Sequence, residues 1–209
     1  MTAMMKKICA AALAGAALLA SAQARADDVS PGYAGASWGA HSSYSMTCYR
    51  IDGCSESTRQ SGKLYGGYTL GTRTTFGDHK VTDSVELSTF WINGKYTQDI
   101  GNPFQSREKT TGLAVSWATA MDLGSGFALN SRIGLSYART REEQRGGGYP
   151  DWHSGDYNRF GPIAGVGLSY ALNRNWSLRT DFDFIPVKVS SSGGNGHVNM
   201  WSVGAAYHF

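Results

Sequence analysis

Four charged residues of this chain sit where charge is costly. Glu86, Arg132, Arg179 and Asp181 each lie within a run that alternates apolar and polar residues, and each is on the polar face of its run. If those faces are enclosed, every charge needs a counter-charge, because a buried unpaired ion costs several kcal/mol. The four sum to zero, so they are expected to form one interior ion-pair network. Cys48 and Cys54 are a second candidate, separated by five residues in a polar segment. No adjacent His or Cys completes a zinc ligand set around them. In an oxidising compartment they are expected to form a disulfide. Closing so short a loop contributes roughly 2 kcal/mol in the chain-entropy account.

Nucleophilic catalysis would need a serine, a base and an acid brought together in space. His41-Ser42 and the group Asp151, His153, Ser154 and Asp156 contain the right types. Nearness in sequence does not make a triad, and we read these as polar connecting residues. The expectation is no enzyme, no cofactor and no metal. Between Arg139 and Phe160 the chain carries Arg141, Arg145, Tyr149, Trp152 and Tyr157 among glycines. Arginine and aromatics are enriched at recognition hot spots, so these five are candidates for binding an unknown extracellular ligand. The alternative is a solvated segment whose basic residues touch lipopolysaccharide. Gly146-Gly147-Gly148 reads as a hinge and not a phosphate loop, since no helix follows it.

The elements that must position these residues are strands. Glycine numbers 27 of 209 residues, and 12% of the chain is aromatic. That mix disfavours a helical protein and a disordered one. The first 26 residues carry Lys6 and Lys7, an apolar run from Ile8 to Ala20, and Ala24-Arg25-Ala26. This is the form of a cleaved signal peptide, so the expected division is residues 1–26 as signal and 27–209 as one domain. Removing residues 1–26 turns the net charge of +3 into zero, with 16 Lys+Arg against 16 Asp+Glu. A nucleic-acid partner, which wants a basic surface, is therefore not expected.

After residue 26 no run approaches the ~18 apolar residues of a membrane helix. Period-two alternation recurs eight times instead: in Tyr33–Ser42, Lys63–Leu70, Val81–Ile92, Leu113–Met121, Leu129–Tyr137, Val166–Tyr170, Trp176–Phe184 and Trp201–Phe209. The connections Asp122–Gly126 and Asn173–Asn175 are short, and Gly71–Lys80 is short if part of it is strand. Ser43–Gly62, Asn93–Thr110, Arg139–Phe160 and Pro186–His197 read as long polar loops. Alternating short and long connections are the pattern of a transmembrane β-barrel, with both chain ends on the periplasmic, short-turn side. A sandwich would bury the apolar face. Here the opposite face carries the charges and many small residues, which suit the narrow interior of eight strands. Trp91, Tyr137, Tyr170, Phe184, Tyr207 and Phe209 fall near strand ends on the apolar face, as interfacial girdles do.

The segments resemble the transmembrane domain of the OmpA-like outer-membrane β-barrel family. The resemblance is carried by Tyr33–Gly39, Gly66-Gly67-Tyr68, Val85-Glu86-Leu87, Gly112 through Tyr137, Gly161 through Phe184, and Met200–Phe209. It extends to OmpX-type small barrels of the virulence and serum-resistance kind. It implies an outer-membrane location and recognition of a terminal aromatic pattern, Tyr207 and Phe209, by the outer-membrane assembly machinery. Two departures stand out. Ala118 takes the place of an inward lysine in the fourth strand, and no peptidoglycan-binding domain is expected beyond Phe209.

The sequence therefore predicts an all-β, eight-stranded antiparallel up-and-down transmembrane β-barrel, monomeric, in contact with outer-membrane lipids and lipopolysaccharide. Its expected role is structural and surface-exposed, with the interior plugged by ions. The rivals are an adhesin-like or serum-resistance-like binding module, a small passive pore and a lipid A-modifying enzyme.

Overall fold

A computed structural model of the 209-residue chain describes residues 31–45, 54–74, 79–100, 102–146, 149–188 and 195–209. The proposed signal segment 1–26 and Cys48 lie outside the described residues. The eight strands are β1 Gly32–Ser45, β2 Cys54–Thr74, β3 Lys80–Ile100, β4 Asn102–Gly124, β5 Phe127–Gly146, β6 Tyr149–Ala171, β7 Trp176–Lys188 and β8 Asn195–His208. Each pairs antiparallel with its sequence neighbours, and β8 pairs with β1, so the sheet closes into a ring. The all-β up-and-down barrel expected from the alternation is the fold that forms.

Side-chain period decides what faces where. On β5, Leu129, Ile133, Leu135 and Tyr137 are exposed while Asn130, Arg132, Ser136 and Ala138 are buried. The same inversion holds on every wall: Leu113, Val115 and Trp117 point outward at 48–57% exposure, whereas Ser116 and Glu86 are nearly inaccessible. An apolar outside and a polar inside suit a barrel solvated by hydrocarbon. Ring pairs reinforce one rim of this belt, with Phe127 against Tyr170 at 4.7 Å and Trp176 against Tyr207 at 5.2 Å.

Three of the segments expected as long loops are strand over much of their length. The β3–β4 ladder runs unbroken to Ile100↔Asn102, and the β5–β6 ladder reaches Gly146↔Tyr149 after a register shift between Gln144 and Gly146. Residues 93–100, 102–110, 139–146 and 149–160 are thus arms of hairpins, and Cys54–Gly62 belongs to β2. The reason is chemical. Beyond the apolar belt the outward positions become Lys95, Lys109, Arg139 and Arg141, so the hydrophobic alternation vanishes while backbone pairing continues. The ring is complete only near the turns. β1 and β2 part above Trp38↔Gly62, and β6 and β7 part above Ala164↔Phe184. At the other end, β2 reaches Thr74 and β3 begins at Lys80, so part of the Gly71–Lys80 connection is strand.

The β4–β5 turn is made by Gly124, Ser125 and Gly126, all at positive φ, with Gly124 N–H donating to Asp122 Oδ1 at 2.8 Å. Gly124→Ala forces a side chain onto φ +84° and should cost about 1 kcal/mol or more. Gly71→Ala, where a Cβ meets nothing within 4 Å, should be near neutral. Urea midpoints in detergent micelles compare the two, and equal midpoints would contradict the assignment of strain.

Candidate functional site

Parity along four strands delivers six charges to one level of the interior. β2 contributes Lys63, β3 Glu86, β5 Arg132, and β7 Arg179, Asp181 and Asp183. All six are at most 7% exposed. Lys63 Nζ lies 2.7 Å from Asp183 Oδ2 and 3.3 Å from Asp181 Oδ2. Arg132 bridges Glu86 at 3.3 Å, Asp183 at 3.4 Å and Asp181. Arg179 reaches Glu86 at 3.1 Å and Asp181 at 3.3 Å. Tyr33 O–H donates to Glu86 Oε2 at 3.0 Å, and the Arg179 guanidinium sits 4.7 Å from the Tyr65 ring centre. Three cations face three anions, so the cluster is neutral. Glycine makes the room. Gly165 and Gly167 stand across from Asp183 and Asp181, and a Cβ at either would collide with the facing carboxylate.

Above the charges the interior turns apolar. Phe90, Ile92, Ile163, Ile185, Val187, Val198 and Met200, with Ala114 and Ala138, form one buried cluster. Polar contacts adjoin it: Thr110 pairs with Thr140 at 2.9 Å, and Ser42 with Ser61 at 2.7 Å. Higher still on the arm, burial pushes the Glu142 carboxyl up from its ordinary range, against the pull of hydrogen bonds from Gln144 and Ser106. Below the charges lies a cavity of about 390 Å³ whose walls include Ser84, Asn130, Ser177 and His208. It extends from Arg179 to the turns at Gly126 and Asn173. The interior is therefore layered from the turn end as polar cavity, charge cluster, apolar cluster and polar arm.

Glu86, Arg132, Arg179 and Asp181 lie together in this cluster. Lys63 and Asp183 belong with them and were absent from the sequence-derived set. Both already stood on the polar face by parity, which was the available signal. Ala118 does occupy the inward position on β4, but Lys63 brings a lysine to the cluster from another strand. The apolar cluster was also missed. Its signal was the pair of runs Phe90-Trp91-Ile92 and Ile185-Pro186-Val187, where both faces are apolar.

The other candidates disperse. Arg141 and Arg145 project from the outer face of β5, while Tyr157 stands opposite Thr140 on the inner face. The side chains of Tyr149, Trp152, Asp151, His153 and Cys54 are outside the description. His41 is exposed, and Asp156 is held by Arg139 at 2.8 Å. Phe209 N–H donates to the Gly32 carbonyl at 3.2 Å at the β1–β8 seam, and its ring lies 6.3 Å from that of Tyr207.

Residues 10–209 match the family described as outer membrane protein beta-barrel domain. The chain belongs to that family. Its fold is also that of Ail, the attachment invasion locus protein of Yersinia pestis. Identity there is 14%, with a TM-score of 0.53 over 87% of this chain and 100% of that one. Ail in complex with the heparin analogue sucrose octasulfate is similar at 13% identity and TM-score 0.53, over 85% and 98%. OprG of Pseudomonas aeruginosa matches at 12% identity and TM-score 0.52, over 85% and 94%. A search of curated protein sequences found no match. These likenesses establish an outer-membrane β-barrel.

Arg179→Ala strips Glu86 of one of its two cations and should destabilise the barrel by roughly 3–5 kcal/mol. Lys63→Met should act in the same direction through Asp183. Arg145→Ala, on the exposed arm, should stay within about 0.5 kcal/mol. Urea unfolding in lipid vesicles measures all three, and a common midpoint would contradict a coupled cluster.

Proposed function

We propose that this protein is a monomeric, non-conducting outer-membrane barrel with a structural and surface-exposed role. The carrying observation is the interior: a neutral six-charge cluster lies directly beneath a tightly buried apolar cluster. Ions entering from the turn-end cavity would meet fixed, mutually satisfied charges and then hydrocarbon. Desolvating an ion there is costly. This favours the plugged barrel over the small passive pore, as does the strand number. Eight strands leave space for side chains, where channel-forming porins have 16–18.

In this reading the short turns and both chain ends face the periplasm and the arms face outward. Residues 1–26 serve as the export signal, and Tyr207 and Phe209 are read by the assembly machinery. Cys48 and Cys54 pair outside the cell surface. No catalytic role is assigned: His41 is exposed while Ser42 is buried on the opposite face of β1, and only nearness in sequence links the candidates around residue 153. A second reading, surface binding, is supported by the β3–β4 and β5–β6 arms rising above the belt. A heparin analogue binds Ail, and a polyanion is accordingly one ligand class to test here.

Two measurements bear on this. Folded protein in planar bilayers should give no unitary conductance, and reproducible single-channel steps would overturn the plugged interior. Mass spectrometry of unreduced protein from outer membranes should find Cys48 and Cys54 oxidised, two hydrogens lighter than the dithiol. Two free thiols would remove the disulfide.

A further inference from the structure

Between the charge cluster and the turns lies a cavity of about 390 Å³, and the ion pairs leave part of its wall unengaged. Small-molecule sites run from roughly 300 to 1,000 Å³, whereas one water takes about 30 Å³ of liquid volume. The described wall carries two cations, Arg174 and Arg179, but no carboxylate. Arg174 lies in the β6–β7 turn and forms no ion pair among the described residues. The turn end of the cavity therefore holds uncompensated positive charge.

Deeper in, three adjacent strands present donors that no protein acceptor meets. A guanidinium offers five N–H donors. Arg179 uses Nε on Asp181 and Nη1 on Glu86, and its Nη2 bonds to nothing among the described residues. Ser169 stands directly opposite Arg179 on β6, and its hydroxyl is likewise without a hydrogen bond there. On β5, Ser169 faces Ala128, and Asn130 is one inward step above. Asn130 is 9% exposed, and its Nδ2 has no hydrogen-bond partner. The β6 residue facing Asn130 is Gly167, so β6 places no side chain at that row.

Leaving a buried donor unsatisfied is costly. Much of the remaining inner wall is short and apolar, formed by Ala118, Ala120, Ala128, Ala171 and Ala206. Water satisfies a donor but gains nothing from methyl groups. An occupant that answers both has an anionic acceptor at one end and a short hydrocarbon body. A carboxylate meets the first need, because its two oxygens accept several charge-assisted hydrogen bonds. Its single charge also matches the one cation left over on the wall, since Arg179 belongs to a cluster that is already neutral.

We infer that this cavity is a binding site for small organic monocarboxylates. Arg174 draws the anion in, Arg179 Nη2, Ser169 and Asn130 hold it, and its hydrocarbon body lies against the alanines. The site does not depend on whether the barrel conducts; only its access from the periplasm rests on the orientation proposed above.

Alanine methyl groups are the reporters for the test. Five line the cavity, while Ala36 and Ala164 are exposed on the outer wall. The full chain, labelled with 13C at alanine methyls, is refolded into phosphatidylcholine nanodiscs, which leave both ends open to solvent. Folding is checked by heat-modifiable mobility, and pentanoate is titrated by NMR. The methyls of Ala118, Ala128 and Ala171 should shift along one saturable curve while Ala36 and Ala164 stay fixed. Pentylammonium and pentan-1-ol should bind at least about tenfold more weakly, and Asn130→Ala should weaken pentanoate about tenfold, as expected for one charge-assisted contact. Ala128→Leu, which fills the cavity, should abolish binding. Asn158→Ala, on the exposed outer face of the β6 arm, should leave it unchanged. Arg179→Ala is avoided because it also breaks the charge cluster. Absence of a saturable shift, or equal affinity for pentylammonium, shows a water-filled vestibule and overturns the site. Inorganic phosphate binding as tightly as pentanoate shows a bare anion site and also overturns it. So does undiminished affinity in Asn130→Ala and Ala128→Leu. Saturable binding by a barrel that conducts ions would keep this site and remove only the sealed interior.

Discussion

The seam between β8 and β1 is the constraint from which the rest follows. Hydrocarbon offers no hydrogen bonds, so a sheet within it must leave no edge. Pairing of Tyr33 with His208 through Ser45 with His197 removes the last one. Closure then divides every strand into two solvents by parity. One set of side chains meets lipid, and the other is locked inside a tube that is tightly filled at the level of the charges. A charge placed inside cannot be hydrated at will, so it must be neutralised by another strand.

That requirement explains the composition of the interior better than any single contact does. Three cations from three strands meet three anions from two, and the tube accepts them because β6 contributes Gly165 and Gly167 at the crowded level. The apolar cluster next to the charges has a complementary effect. It excludes water from one side of the ion pairs, which raises both their attraction and the penalty for breaking one. Lys63, Arg132 and Arg179 thus hold together strands far apart in the chain, adding side-chain ties between walls that already share backbone ladders.

The arms obey a different logic. Outside the belt, water satisfies any backbone group, so the arms need no closed ring; the β1–β2 and β6–β7 ladders end earlier still, at Trp38↔Gly62 and Ala164↔Phe184. The hairpins nevertheless persist to their tips, because local pairing carries no cost there. Their outer faces are free to carry charge, and it is on them that Lys95, Lys109, Arg139 and Arg141 gather.

The sequence by itself determined the architecture. Period two, a polar face bearing Glu86, Arg132, Arg179 and Asp181, and short turns such as Gly124-Ser125-Gly126 leave few solutions besides a lipid-solvated barrel. It did not reveal where the strands end, since alternation reports burial on one face and not backbone pairing. Residues 93–110 and 139–160 accordingly read as loops until the ladders were seen. Nor could it choose which inward residues meet. Lys63 is 120 positions from Asp183, and no local pattern encodes that distance. Partnership inside a closed tube depends on shear, on which rows share a level, and on where glycines give room. Those are properties of the closed ring, and only the tertiary structure decides them.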